Sequence, residues 1–96
     1  ILDVIIDIRP QSRTYGKTFA VTLTDTNETM LFVPKGFAHG FLTLTADTQV
    51  MYQVSTPYMP SAEGGIRWND KSFAIAWPTA APVLSEKDAK YPDYTL

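Results

Sequence analysis

Residues 33–44 read VPKGFAHGFLTL, and the fold is decided by how this stretch is parsed. Pro34 fixes its own φ and has no N–H to offer a sheet ladder, so it closes one extended run. Gly36 permits the tight turn that follows. GFLTLT then resumes an alternating apolar–polar pattern, the signature of a half-buried strand, and His39 stands at its start, at the mouth of a barrel. The same grammar extends outward. Residues 1–8 (ILDVIIDI) form an Ile/Val-rich strand, and RPQSRTYGK is a loop punctuated by Pro10 and Gly16. In TFAVTLT, Phe19, Val21 and Leu23 share one face. DTN is a turn composition, ETMLFV returns to extended chain, and QVMYQV pairs with GFLTLT as a hairpin around ADT.

No long segment keeps a helical period. From Pro57 the chain mixes Pro, Gly and aromatics, which reads as an ordered loop region over 57–84 with one short strand near Phe73–Ala76. Residues 85–91 hold one helical turn, with Ser85 as N-cap, Asp88 three positions on, and Pro92 as the stop. The expectation is a single 96-residue all-β domain, with strands and hairpins over 1–56 and an antiparallel sandwich or barrel architecture.

Composition narrows the function classes. A net charge of −2 with no basic run argues against a nucleic-acid surface. No apolar run approaches the roughly 20 residues of a membrane helix, and ILDVIIDI is broken by Asp3 and Asp7. The absence of cysteine removes thiol chemistry and fits a reducing compartment, so a cytoplasmic location is expected. The chain opens on Ile rather than Met, and an incomplete or processed polypeptide is therefore expected.

His39 is the only histidine. Pro34-Lys35-Gly36-Phe37-Ala38-His39 matches the P-x-G-x-x-H core of the second cupin motif, although Thr43 stands where that motif has Asn. Metal-binding cupins use two or three histidines with a carboxylate, so one histidine and no cysteine leave no such site within this chain. The residues alone leave His39 as a structural hydrogen-bonding group or a ligand-site group. Tyr52 is the second candidate, and its face depends on the hairpin register. A two-residue Ala46-Asp47 turn pairs Tyr52 with Phe41 and puts it on the His39 face, whereas a three-residue turn opposes it to Leu42. A core tyrosine with its hydroxyl at the rim explains the same spacing. Tyr58, Glu63, Arg67 and Trp68 form a polar–aromatic cluster in a loop of the kind that lines sites on rigid β scaffolds.

Four segments, DIRPQSRTYGK, VPKGFAHGFLTL, MYQVSTPYMPSAEGGIRWND and LSEKDA, occur in the same order in the dTDP-4-dehydrorhamnose 3,5-epimerases. The chain resembles that family from about Asp3 to Ala89. The resemblance implies a metal-independent jelly-roll cupin, present here in part, and no cofactor. It implies epimerisation of the two carbons flanking the C4 ketone of a nucleotide-linked 4-keto-6-deoxy sugar. In this family a histidine held by an aspartate is the base, and a tyrosine is the acid on the opposite face. By motif position Tyr52 resembles that acid, Asp88 the aspartate that orients the base, and His39 a second active-site histidine. Tyr58 and Glu63 match positions lining the nucleotide-sugar pocket, and Arg67 and Trp68 join them as substrate-binding candidates.

One departure bears on activity. The family's base lies in an L-R-G-x-H-type segment followed by a lysine, and both precede Ile1. The chain alone is therefore expected to be weak or inactive as an epimerase. The alternative is a small cupin module that binds a nucleotide sugar without catalysis. Both readings expect a homodimer through exposed sheet edges, because the family exchanges N-terminal strands between subunits.

Overall fold

β1 (Leu2–Asp7) is the axis of the sheet, flanked by β2 (Thr18–Thr22) and β3 (Phe37–Leu42) in the order β2-β1-β3, all antiparallel. In the computed structural model the described residues are 1–55 and 64–94. A central strand loses water from both faces, so its sequence is a continuous β-branched run rather than an alternation. Val4, Ile5 and Ile6 are all buried, at 2%, 7% and 5% exposure. Each such side chain stabilises the fold by roughly 1.5–3 kcal/mol relative to leaving it in water.

The register assigns the faces. Asp3, Ile5 and Asp7 oppose Phe41, His39 and Phe37 of β3, and Asp3 and Ile5 oppose Val21 and Phe19 of β2. Residues directly opposite in an antiparallel pair share a face. Val4 and Ile6 occupy the other face with Gly40 and Ala38. The expected alternation of Phe19 and Val21 is therefore present in β2.

Two buried carboxylates interrupt β1, and each has a polar answer. Asp7, 1% exposed, accepts from Arg9 N at 3.0 Å, Arg9 Nε at 2.9 Å, Arg9 Nη2 at 2.9 Å and Ser12 Oγ at 2.6 Å, and from Thr14 Oγ1. These donors hold its pKa well below the usual carboxylate range, the Arg9 guanidinium first and then the two hydroxyls, against burial acting in the opposite direction. The clasp shapes the loop between β1 and β2, which closes as Gly16 N donates to Asp7 O at 2.8 Å. Gly16 sits at φ +80°, where a side chain would be strained. The Arg9 guanidinium also lies 4.8 Å above the Phe37 ring, tying the loop to the start of β3.

Three expected extended segments take other forms. ETMLFV is irregular: Asn27 folds the chain back by donating Nδ2–H to Thr22 O at 3.0 Å and accepting from Thr24 N at 3.2 Å, and Glu28 adopts φ +51°. The hairpin turn does occur at Ala46-Asp47, with Asp47 at φ +57° and Thr48 Oγ1 donating to Thr45 O at 2.8 Å. Residues 50–54 form no ladder beyond it, and Met51 is 92% exposed. A ribbon with no further strand to bury its apolar side gains too little to stay paired. Near Phe73–Ala76 a turn replaces the expected strand. Asp70 Oδ1 accepts from Ser72 N at 2.9 Å, and Phe73 N and Ala74 N both donate to Asp70 O. An aspartate that caps the backbone two residues on competes with strand pairing. The C-terminal helical turn is present as α1 (Glu86–Ala89), with Ser85 Oγ accepting from Asp88 N at 3.1 Å.

Candidate functional site

β3 and the Val4–Ile6 face of β1 look across a cleft of about 1020 Å³ toward the 64–94 segment. His39, Arg67, Trp68 and Asp88 all line it, with Trp77 and Tyr91 completing an aromatic side. Four candidates that are dispersed in sequence thus share one cavity. The cause is topological: β1 pairs with β3 and carries His39 to the outer strand of the sheet, while the C-terminal segment folds back across β3 and the Val4–Ile6 face.

The His39 side chain is 38% exposed, and its Nε2 is hydrogen-bonded to Asp3 Oδ1. Asp3 and His39 are diagonal neighbours on one face, since Asp3 opposes Phe41 and Ile5 opposes His39. Phe41 flanks the imidazole, with ring centroids 6.3 Å apart and planes tilted by 38°. A carboxylate on one ring nitrogen fixes the orientation of the imidazole and leaves the other nitrogen for a ligand or a proton. Sequence reading missed the partnership of Asp3. The available signal was an acid in the middle of an Ile/Val strand, which burial makes costly unless it is paired.

Arg67 is preoccupied. Its Nε donates to Asn69 Oδ1 at 2.8 Å, and its Nη2 forms an ion pair with Asp93 near the C-terminus. Trp77 Nε1 donates to the Trp68 carbonyl at 2.7 Å, which fixes the Trp77 indole against the Trp68 backbone, and both residues line the cleft. Asp88 enters through α1, whose cap fixes the start of the helical turn. Tyr52 lies apart from this group: it is 74% exposed and does not line the cleft. Tyr58 and Glu63 fall outside the described residues.

The comparisons with known proteins agree on one group. The family described as dTDP-4-dehydrorhamnose 3,5-epimerase matches residues 1–95. The dTDP-4-dehydrorhamnose 3,5-epimerase of Sinorhizobium fredii is 45% identical over 93 residues, which cover 96% of this chain and 48% of that protein. A crystal structure of the Bacillus anthracis dTDP-4-dehydrorhamnose 3,5-epimerase with TDP and PPi bound superposes with a TM-score of 0.94 at 45% identity, covering 97% of this chain and 53% of that one. The dTDP-6-deoxy-D-glucose-3,5-epimerase of Legionella pneumophila, in complex with dTDP-4-keto-L-rhamnose, superposes with a TM-score of 0.77 at 33% identity, covering 99% and 57%. The chain spans about half the length of the curated relatives it matches. Its antiparallel sheet is part of the cupin architecture of these neighbours. From its first residue to its penultimate one, this chain belongs to the dTDP-4-dehydrorhamnose 3,5-epimerase family.

Proposed function

We propose that the chain forms the sugar-facing part of a nucleotide-sugar 3,5-epimerase site, taking a dTDP-linked 4-keto-6-deoxy sugar into the cleft beside β3. The observation that carries this reading is the family match over residues 1–95 together with the Asp3-held His39 on the cleft wall. A proton beside a ketone is acidic enough to exchange when a base is positioned for it and donors meet the developing enolate oxygen. Inversion then requires the proton to return on the opposite face.

In this reading His39 holds the sugar through the nitrogen that Asp3 leaves open, Asp88 orients a base imidazole, and Tyr52, which stands outside the cleft in the chain alone, returns the proton once residues 50–54 are brought against it. Arg67 and Trp68, with Tyr58 and Glu63, contact the substrate. Arg67 meets an anionic group by exchanging its ion pair with Asp93. The 96 residues carry one imidazole, and none of these steps calls for a metal or a cofactor. A cytoplasmic setting fits the cysteine-free composition. Association as a homodimer through sheet edges fits the outer edges of β2 and β3, which pair with no further strand among the described residues, and the exposed Met30 and Phe32. A clean monomer by light scattering would refute that assembly.

Titration with dTDP, followed by Trp68 and Trp77 fluorescence, tests the cleft. Saturable quenching at or below millimolar dTDP is expected, and a flat response sinks the reading. Solvent deuterium wash-in at C3 and C5 of the keto sugar tests the chemistry, with slow exchange expected from the chain alone. Binding with no wash-in from any preparation, including a complex with a polypeptide covering the remaining half of the family's length, would leave a binding module and overturn the epimerase reading.

A further inference from the structure

The residues after α1 form a strap, and its attachments are independent of His39, Asp3 and Asp88. Asp70 is 3% exposed, and its Oδ2 accepts from Tyr94 N at 2.6 Å while its Oδ1 accepts from Ser72 N at 2.9 Å. Ser72 Oγ donates to Tyr94 O at 3.2 Å, and Asp93 pairs with Arg67. The Tyr94 ring lies 5.5 Å from the buried Phe73 ring, tilted by 49°. The Tyr94 phenol also interacts with that of Tyr15 in the β1–β2 loop, so the strap reaches the loop that follows β1.

Tyr91, at the strap's beginning, packs on bare backbone. A Cβ at Gly65 would fall 2.0 Å from Tyr91 Cζ and 2.3 Å from Cε2, inside any permitted contact. Both Tyr91 and Tyr94 line the cleft, on the side of the two indoles and Arg67. A buried carboxylate is costly to desolvate unless it is paired, and both oxygens of Asp70 are devoted to backbone N–H groups that hold this segment in place. Here it fixes one wall of the binding cavity.

We propose that the strap Tyr91–Tyr94 is a specificity-determining wall of the cleft, with Asp70 as the positioning residue that anchors it and Gly65 as the seat of Tyr91. The wall sets how much of the cavity is open and presents phenol faces to the ligand. Asp70 acts through the strap and touches no ligand itself. The nature of the ligand rests on the epimerase reading, but the existence of the wall does not.

The experiment therefore has a ligand-free arm and a ligand arm, run on the whole chain and its Asp70→Asn, Gly65→Ala and Tyr91→Ala variants. In the first arm, acrylamide quenching reports how open the cleft is around Trp68 and Trp77, and amide hydrogen exchange reads the Tyr94 N–H. Asp70→Asn is expected to speed Tyr94 exchange tenfold or more and to raise the quenching constant about twofold. Gly65→Ala should raise quenching without reaching that amide bond. Quenching unchanged in all three variants overturns the wall. In the second arm, dTDP affinity should fall at least fivefold in Asp70→Asn and Tyr91→Ala. Unchanged affinity in a chain that binds dTDP overturns the specificity role while the epimerase reading stands. If the wild-type chain does not bind dTDP, the epimerase reading fails and the quenching arm alone judges the wall. Should Asp70→Asn not fold, Tyr91→Ala at the half-buried ring supplies both measurements.

Discussion

Gly36 is the point where the loop clasp, the start of β3 and the placement of His39 meet, and replacing it with alanine has a calculable consequence. The residue sits at φ +89°, and a Cβ there would lie 2.5 Å from Arg9 Cγ and 2.8 Å from Arg9 Cδ. The backbone part of the penalty is about 1–2 kcal/mol, the usual cost of a left-handed L-residue. The steric part is about 1–3 kcal/mol, as for forcing an extra methyl into a packed site. Arg9 cannot yield freely, because two of its nitrogens are committed to Asp7 and its guanidinium to the Phe37 ring. Thermal unfolding followed by circular dichroism should fall by roughly 8 °C or more, taking about 4–8 °C per kcal/mol for a domain of this size. The decisive measurement is a double-mutant cycle with Arg9→Ala. Removing the arginine stem abolishes the steric part and leaves the backbone part, so Gly36→Ala should be milder in that background by about 1–3 kcal/mol. Additivity within about 0.5 kcal/mol would show that the close approach between Gly36 and Arg9 carries no energy, and the clasp account of β3 would fall.

Other outcomes follow from the same geometry. Because Asp7 has its pKa held below the usual carboxylate range, it stays ionised in the fold while the unfolded chain takes up a proton. Its stabilisation is complete above about pH 5 and is lost as pH falls through the carboxylate range and below it. Melting temperatures from pH 6 to pH 2 should drop, and Asp7→Asn should flatten that slope; an unchanged slope contradicts the clasp. Ile5→Ala removes a side chain from the centre of β1 and should destabilise the fold by about 2–5 kcal/mol in urea unfolding, whereas a change under about 1 kcal/mol would place β1 outside the core. Asp3→Asn should leave melting near the wild-type value but weaken dTDP binding, because His39 loses its orienting carboxylate; identical dTDP affinity would remove the pair from the site. Ser85→Ala should reduce amide protection in α1, consistent with a cap of about 1 kcal/mol, and protection identical to wild type would assign the helical turn to packing alone.

Local chemistry was legible in the sequence wherever one residue type has few conformational choices. The strand over residues 1–8, the alternation of Phe19 and Val21, a turn around Ala46-Asp47-Thr48, and the Ser85 cap ahead of α1 each follow from side-chain periodicity or from a short polar side chain meeting its own backbone. The P-x-G-x-x-H stretch likewise marked the family, because a proline, a glycine and a histidine at that spacing serve a specific turn into a sheet edge. Extended runs without a sheet partner were not decidable locally. ETMLFV and QVMYQV have the composition of strands, yet a ladder needs an edge to pair with, and none reaches them among the described residues. Phe73–Ala76 failed for another reason, since the Asp70 carboxylate captured the backbone that a strand would have used.

The candidate site divides along the same line. That His39 belongs to it was visible from the motif, and that Asp88 sits at a capped helical turn was visible from LSEKDA. Only the tertiary structure decided that His39 is held by Asp3, thirty-six positions away, because that contact depends on the β1–β3 register, and a one-residue slip would turn Asp3 to the opposite face. Only the tertiary structure bound Arg67 to Asp93 and seated Tyr91 on Gly65. Conformational preference is a property of a few neighbouring atoms and is written in the sequence itself. A site is a property of distances between remote segments, and those are set by pairing register and by what the buried carboxylates find to bind.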